Sequence, residues 1–269
     1  MYTATMGKRV QVAVAVLLLV VLGIGVWKIL HPQEPEPTVD GRPLTGWLDD
    51  LDGSTEAQRA AQQAVAKAGT NAVPKLQRML RQSDSPLKCR MLEFAQTQPL
   101  ITVHFIPARS RNREAWLAFN TLGTCAADAV PELIEICDRN ISNPSQVCAV
   151  RSLAGIGPVA KMAIPMLLRQ AATNANVTVR VDSMDALVRL HTDPELAVPA
   201  LMKGLSDPTG SGRLVACRSL GRLGGEARQA VPVLVRLLAD PFPGVEESAA
   251  EALKQIDREA AARAGVVSP

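Results

Sequence analysis

The residue types that do chemistry are few in this chain and far apart. Its three histidines, His31, His104 and His191, show no ligand spacing to a second histidine or to a cysteine, so a zinc site has no starting point. Cys89, Cys125, Cys137, Cys148 and Cys217 contain no Cys-x-x-Cys pair, which leaves thioredoxin-type redox chemistry without support. An odd count leaves at least one thiol unpaired, and spacing alone leaves Cys137 with Cys148, or Cys125 with Cys137, open as bridges. Gly155-Ile-Gly157 and Gly210-Ser-Gly212 resemble phosphate loops only out of context, because no strand precedes either one. No Ser-His-Asp or paired-carboxylate constellation stands out. The sequence therefore predicts no catalytic residue, no cofactor and no metal.

Arginine is the one chemistry-bearing type that clusters. From Lys75 to Arg113 there are eight basic residues against Asp84 and Glu93, a local +6. Guanidinium groups recognise carboxylates and other anions, so Arg90, Arg109 and Arg111, with the aromatic Phe105 nearby, are candidate partner-binding residues. The overall charge of +3 lies entirely in residues 1–30, which hold Lys8, Arg9 and Lys28 and no acid. The remaining residues carry 26 basic and 26 acidic groups, and this neutrality counts against nucleic acid as the main ligand.

The elements that must position these residues recur. Pro74, Pro131, Pro165, Pro199 and Pro232 each sit in the frame Ala-[Val/Ile]-Pro, the last four 34, 34 and 33 residues apart. In step with them run Gly69, Gly123, Gly157, His191, Gly224 and Asp257. Four residues before each marker stands Val65, Phe119, Leu153, Leu187, Leu220 or Leu253; eight before stands Ala61, Ala115, Ala149, Ser183, Ala216 or Ala249. Large and small columns at helical spacing are what stacked helices need, the small ones allowing close approach and the large ones filling the gap. Each unit is predicted as a helix ended by the marker residue, a turn, and a second helix begun by the proline.

Stretches such as Leu220-Gly-Arg-Leu-Gly-Gly followed by Ala230-Val-Pro-Val-Leu-Val-Arg-Leu-Leu resemble the HEAT-like repeat proteins of the phycobilisome-lyase type, over about Ser54 to Ala262. The resemblance implies an all-α fold: a right-handed α-solenoid of about five helical pairs, with Val245 to Ala262 as a capping half-unit. A tetratricopeptide array would place its proline after the second helix, and an ankyrin array would show Thr-Pro-Leu-His. On activity the family says little, being mostly binding surfaces, although phycobilin lyases and DNA-repair glycosylases occur in it.

The ends are of different material. The apolar run from Val10 to Leu30 is long enough to span a bilayer of roughly 30 Å, and Lys8 and Arg9 before it place residues 1–9 in the cytoplasm. This predicts one uncleaved transmembrane helix at 10–30 and a repeat domain that is periplasmic or extracellular. Residues 31–46, with Pro32, Pro35, Pro37 and Pro43, are expected to be an extended spacer, with Trp47 and Leu48 capping a repeat domain at 47–262 and a tail at 263–269.

Periodicity breaks once. Pro74 to Pro131 is 57 residues, about 23 more than one repeat, which predicts an insertion at about 83–112. Within it Leu87 to Gln96 is expected as a short helix and Pro99 to Pro107 as an extended segment. Long insertions in repeat proteins tend to carry binding. A second basic pattern falls four residues after the marker prolines, where Arg78, Glu135, Arg169, Lys203 and Arg236 would form a ladder along the second helices. The chain is thus expected to be a membrane-anchored scaffold for an unidentified protein partner, the alternative being a lyase-like enzyme or its partner subunit.

Overall fold

The computed structural model describes residues 36–85, 89–90 and 106–266. The predicted transmembrane segment, most of the expected helix at Leu87 to Gln96 (Cys89 and Arg90, which are helical, apart), most of the extended segment and Phe105 lie outside them. From Pro37 onward the described residues form one unit built from helical pairs stacked in chain order. The pairs are α2 (Thr55–Ala68) with α3 (Val73–Leu80), α4 (Ala108–Leu122) with α5 (Val130–Arg139), α6 (Asn143–Ile156) with α7 (Ile164–Thr173), α8 (Val177–Arg189) with α9 (Pro194–Gly204), and α10 (Gly210–Leu223) with α11 (Val231–Leu237). Helices α12 (Val245–Ile256) and α13 (Arg258–Arg263) close the array. The predicted columns are its core, since Phe119, Leu153, Leu187, Leu220 and the alanines eight residues before the markers are all 0% exposed. The apolar stretch Asn143–Thr173, long enough by composition to cross a membrane, is two helices bent at Gly157 and is half buried in this stack.

Local chemistry explains where each helix stops and starts. Gly69, Gly123, Gly157 and Gly224 all take positive φ at the ends of first helices, and His191 adopts it too. Asp257 does not. It is extended at φ −155° and accepts a hydrogen bond from the Ala260 amide at 3.0 Å, so it ends α12 and caps α13. Pro74, Pro131, Pro165 and Pro232 open their helices as predicted, but Pro199 lies inside α9. In that pair Asp193 accepts from the Glu195 amide at 3.2 Å and Pro194 takes the first turn, which starts the helix five residues earlier.

Two predicted boundaries move. Instead of an extended spacer, the chain forms from Pro37 a hairpin of β1 (Thr38–Val39) and β2 (Arg42–Pro43), turned through Asp40 and Gly41 at positive φ. It then enters α1 (Leu44–Leu48), where Leu44 and Leu48 are fully buried and the Trp47 indole donates to the Val39 carbonyl at 3.1 Å. Apolar side chains at 39, 44 and 48 are what pull this segment onto the first pair. The insertion is also shorter than predicted at its far end, because Ala108 to Asn112 form the first turns of α4. Its base is closed by Asp84, which accepts from the Ala108 amide at 2.8 Å and so caps α4 from 24 residues away. Arg81 pairs with Glu132 and with Glu135 at 2.7 Å, so the first two pairs stack as direct neighbours despite the insertion. At the other end Val266, within the predicted tail, still packs on the core.

A polar column runs beside the apolar ones. Arg180 and Asp207, 11% and 5% exposed, meet through parallel hydrogen bonds of 2.7 and 2.9 Å, while the Arg180 Nη1 donates to the Asn174 carbonyl at 2.8 Å. Arg213 and Asp240 repeat this with 2.7 and 2.8 Å bonds, and the Arg213 Nη1 donates to the Asp207 carbonyl at 2.9 Å. Each arginine therefore ties two successive loops between pairs. One repeat earlier the same positions hold Gln146 and Asn174, which bond at 3.2 Å without charge. Earlier still, Asn112 is fully buried and its amide, oriented so both ends are satisfied, donates to the Met79 carbonyl at 2.9 Å and accepts from the Ser145 amide at 3.1 Å. Gly212 belongs to this column, since a Cβ there would lie 2.2 Å from the Asp207 Cγ. Gly210-Ser-Gly212 is thus a packing element.

Ser183 breaks the pattern in the other direction. It stands in a column otherwise made of alanine, and its buried hydroxyl has no hydrogen-bond partner. Ser183→Ala is expected to stabilise the fold by about 1 kcal/mol, read as a higher urea midpoint with unchanged slope. A lower midpoint would mean that the hydroxyl has a partner.

Candidate partner-binding cleft

Helix α4 carries Arg109, Arg113 and Trp116 at i, i+4 and i+7, which is one stripe of a helix surface. Helix α6 lies alongside with Asn143, Pro144, Val147, Cys148 and Arg151, and the two helices enclose an open cleft of about 600 Å³. The Arg151 guanidinium sits 4.9 Å from the centre of the Trp116 ring, a cation–π arrangement, and its Nε donates to Asp182 on α8 at 2.7 Å. Arg113 pairs with Asp52 at 3.0 Å, both side chains well exposed. Arg109 is exposed and makes no ion pair with a described residue. A smaller concavity of about 300 Å³ continues past Trp116 and Arg151 to Asp182, Asp185 and Arg189.

Electrostatics separates the cleft from the other side of α4. Burial raises the Glu114 carboxyl to about 7, helped by Asp49 and Asp52 and opposed by Arg111. Arg111 and Arg109 are two residues apart, about 200° around the helix, so they serve different surfaces. In the cleft, burial raises the Cys148 thiol to about 11 despite Arg151, which makes it a poor nucleophile. All five cysteines are free, so neither bridge left open by the spacing forms; Cys137, Cys148 and Cys217 are buried core residues. Among the described residues no group of three or more His, Cys, Asp or Glu side chains could hold a metal.

The sequence candidates are thus distributed. Arg109 lines the cleft, Arg111 does not, Arg90 is exposed, and Phe105 lies outside the described residues. Arg78, Arg169, Lys203 and Arg236 are exposed on α3, α7, α9 and α11, away from the cleft lining, and Arg169 is paired with Asp138 of the preceding pair. Sequence reasoning did not single out Arg113, Trp116 and Arg151 as a group. The i, i+4, i+7 spacing on α4 was a visible signal for the first two; Arg151 reaches them only through stacking of α6 on α4.

Residues 198–264, from within α9 to the end of the array, match the family model described as HEAT repeats. No curated protein matches the chain. Among solved structures, one engineered protein is 19% identical with a TM-score of 0.44, covering 82% of this chain and 97% of its own. A second engineered protein is 18% identical with a TM-score of 0.43, covering 83% of this chain and 72% of its own. The complex of CpcE and CpcF of phycocyanin lyase from Nostoc sp. PCC7120 is 21% identical with a TM-score of 0.39, covering 87% of this chain and 83% of its own.

Proposed function

We propose that the chain is a scaffold for protein–protein contact, held to a membrane by its N-terminal helix, with the helical stack outside the cytoplasm and no chemistry of its own. The observation that carries the binding role is the open, arginine-rimmed cleft on a stack of paired helices, a surface suited to holding a partner. The anchor rests on the apolar run from Val10 to Leu30 and the basic residues preceding it.

Two measurements test this. Cys125 is exposed, so a membrane-impermeant maleimide should label the full chain in intact spheroplasts, and the signal should fall in the Cys89→Ser/Cys125→Ser variant. Labelling only after lysis would place the stack in the cytoplasm. A peroxidase fused after Pro269, supplied with biotin-phenol and hydrogen peroxide, should then mark extracytoplasmic proteins with biotin; marking none would remove the scaffold role.

A further inference from the structure

We propose that the α4–α6 cleft docks an acidic segment of a partner protein, with one or more carboxylates on Arg109 and Arg113 and an adjacent apolar side chain against Trp116, Pro144 and Val147. This rests on the scaffold function above and names the chemistry of the partner.

Charge carries the argument. The eight side chains lining the cleft include three arginines and no acid. Arg151 is committed, held by Asp182 and stacked on Trp116, and it stiffens the floor more than it offers a free charge. Arg109 has no ion pair with a described residue, and Arg113 has only a surface bridge to Asp52, in which the Arg113 side chain is 60% and the Asp52 side chain 41% exposed. A bridge of that kind is worth less than about 1 kcal/mol, so an incoming carboxylate can take its place at small cost. Guanidinium forks four residues apart on one helix face match a carboxylate-bearing peptide well. The floor of indole, proline and valine adds apolar area beside the charges, which favours a peptide side chain over a bare anion. The adjoining concavity balances Asp182 and Asp185 against Arg151 and Arg189, so the excess positive charge is confined to one end. That asymmetry gives the segment a direction: acid toward Arg109, apolar toward Trp116.

A random short-peptide library displayed on phage, selected against the full chain in neutral detergent, tests the proposal. Enriched peptides are synthesised with fluorescein and titrated by anisotropy. They should carry Asp or Glu beside Leu or Phe, and Arg109→Glu/Arg113→Glu should weaken their binding at least tenfold. The control Arg258→Glu/Arg263→Glu makes the same charge change on exposed positions of α13 and should leave binding within twofold. Equal thermal midpoints for both variants separate lost binding from lost folding. Enriched peptides without acid, equal binding by the cleft variant, or no enrichment each overturn the proposal. So does binding of phosphatidylglycerol vesicles, but not of peptides, through the same arginines, because the ligand is then a lipid surface. If biotin marking from the Pro269 fusion is unchanged in the cleft variant, the scaffold function stands while the cleft assignment falls; absence of any marked partner removes the scaffold function itself.

Discussion

Arg180→Ala is expected to lower stability by about 3–5 kcal/mol, because it leaves the Asp207 carboxylate, 5% exposed, without its cation. The loss should be read by urea denaturation, with hydrogen exchange confining the weakened amides to the pairs on either side of the loop. The informative partner is the double variant Arg180→Gln/Asp207→Asn, which copies the neutral rung that the protein itself uses at Gln146 and Asn174. It should recover most of the loss, since the desolvation cost of both charges goes with them. If the double variant is as unstable as the single one, the ionic rung contributes more than its neutral equivalent can.

Acid should separate the two kinds of rung. Burial pushes Asp207 upward, yet hydrogen bonds from Arg180 and Thr209 and the charge of Arg180 outweigh it and leave the carboxyl at about 2. A folded value below the unfolded one means that the carboxylate's stabilisation is complete above the unfolded value, near 4, and disappears as pH falls through about 2. The neutral double variant should show a smaller loss across that window.

Glu114→Gln is expected to act in the opposite direction, stabilising the fold by up to about 3 kcal/mol above pH 7 and by nothing below about 4.5. Glu114 is only 9% exposed, and burial, with Asp49 and Asp52 near it, raises its carboxyl to about 7. The folded state therefore holds a proton that the unfolded state releases between about 4.5 and 7. Stability falls as pH rises through that interval, and the amide removes the fall. Thermal midpoints of both proteins from pH 4 to 8 should converge at the acid end. Parallel curves would mean that Glu114 titrates normally, for instance because α1 and the following turn open to let in water.

The repeat was legible because stacking constrains residue type at every unit. Phe119, Leu153, Leu187, Leu220 and Leu253 are all buried in the stack, and the left-handed turn after each of the first four admits few residues besides glycine. The neutral-to-ionic column was equally present in one dimension, as Asn112, Gln146, Arg180 and Arg213 at 34, 34 and 33 residues, but a change of chemistry along a column hides it from a search for like residues. Asp257 illustrates a related limit: its place in the marker column suggested a left-handed helix end, and the capping of α13 used its side chain instead.

By itself the sequence determined the helical pairs, their order, the core columns and the site of the insertion, because each depends on contacts that recur at a fixed period. Only the tertiary structure decided which arginines share a surface. Arg109 and Arg111 are close in sequence yet about 200° apart on α4, whereas Arg109 and Arg151, 42 residues apart, line one cleft because two first helices pack side by side. The hairpin of β1 and β2 and the early start of α9 were also matters of tertiary and capping contacts. In each case the physical reason is the same: helical phase and packing between neighbours set which side chains meet, and neither is written in the spacing of a charge cluster.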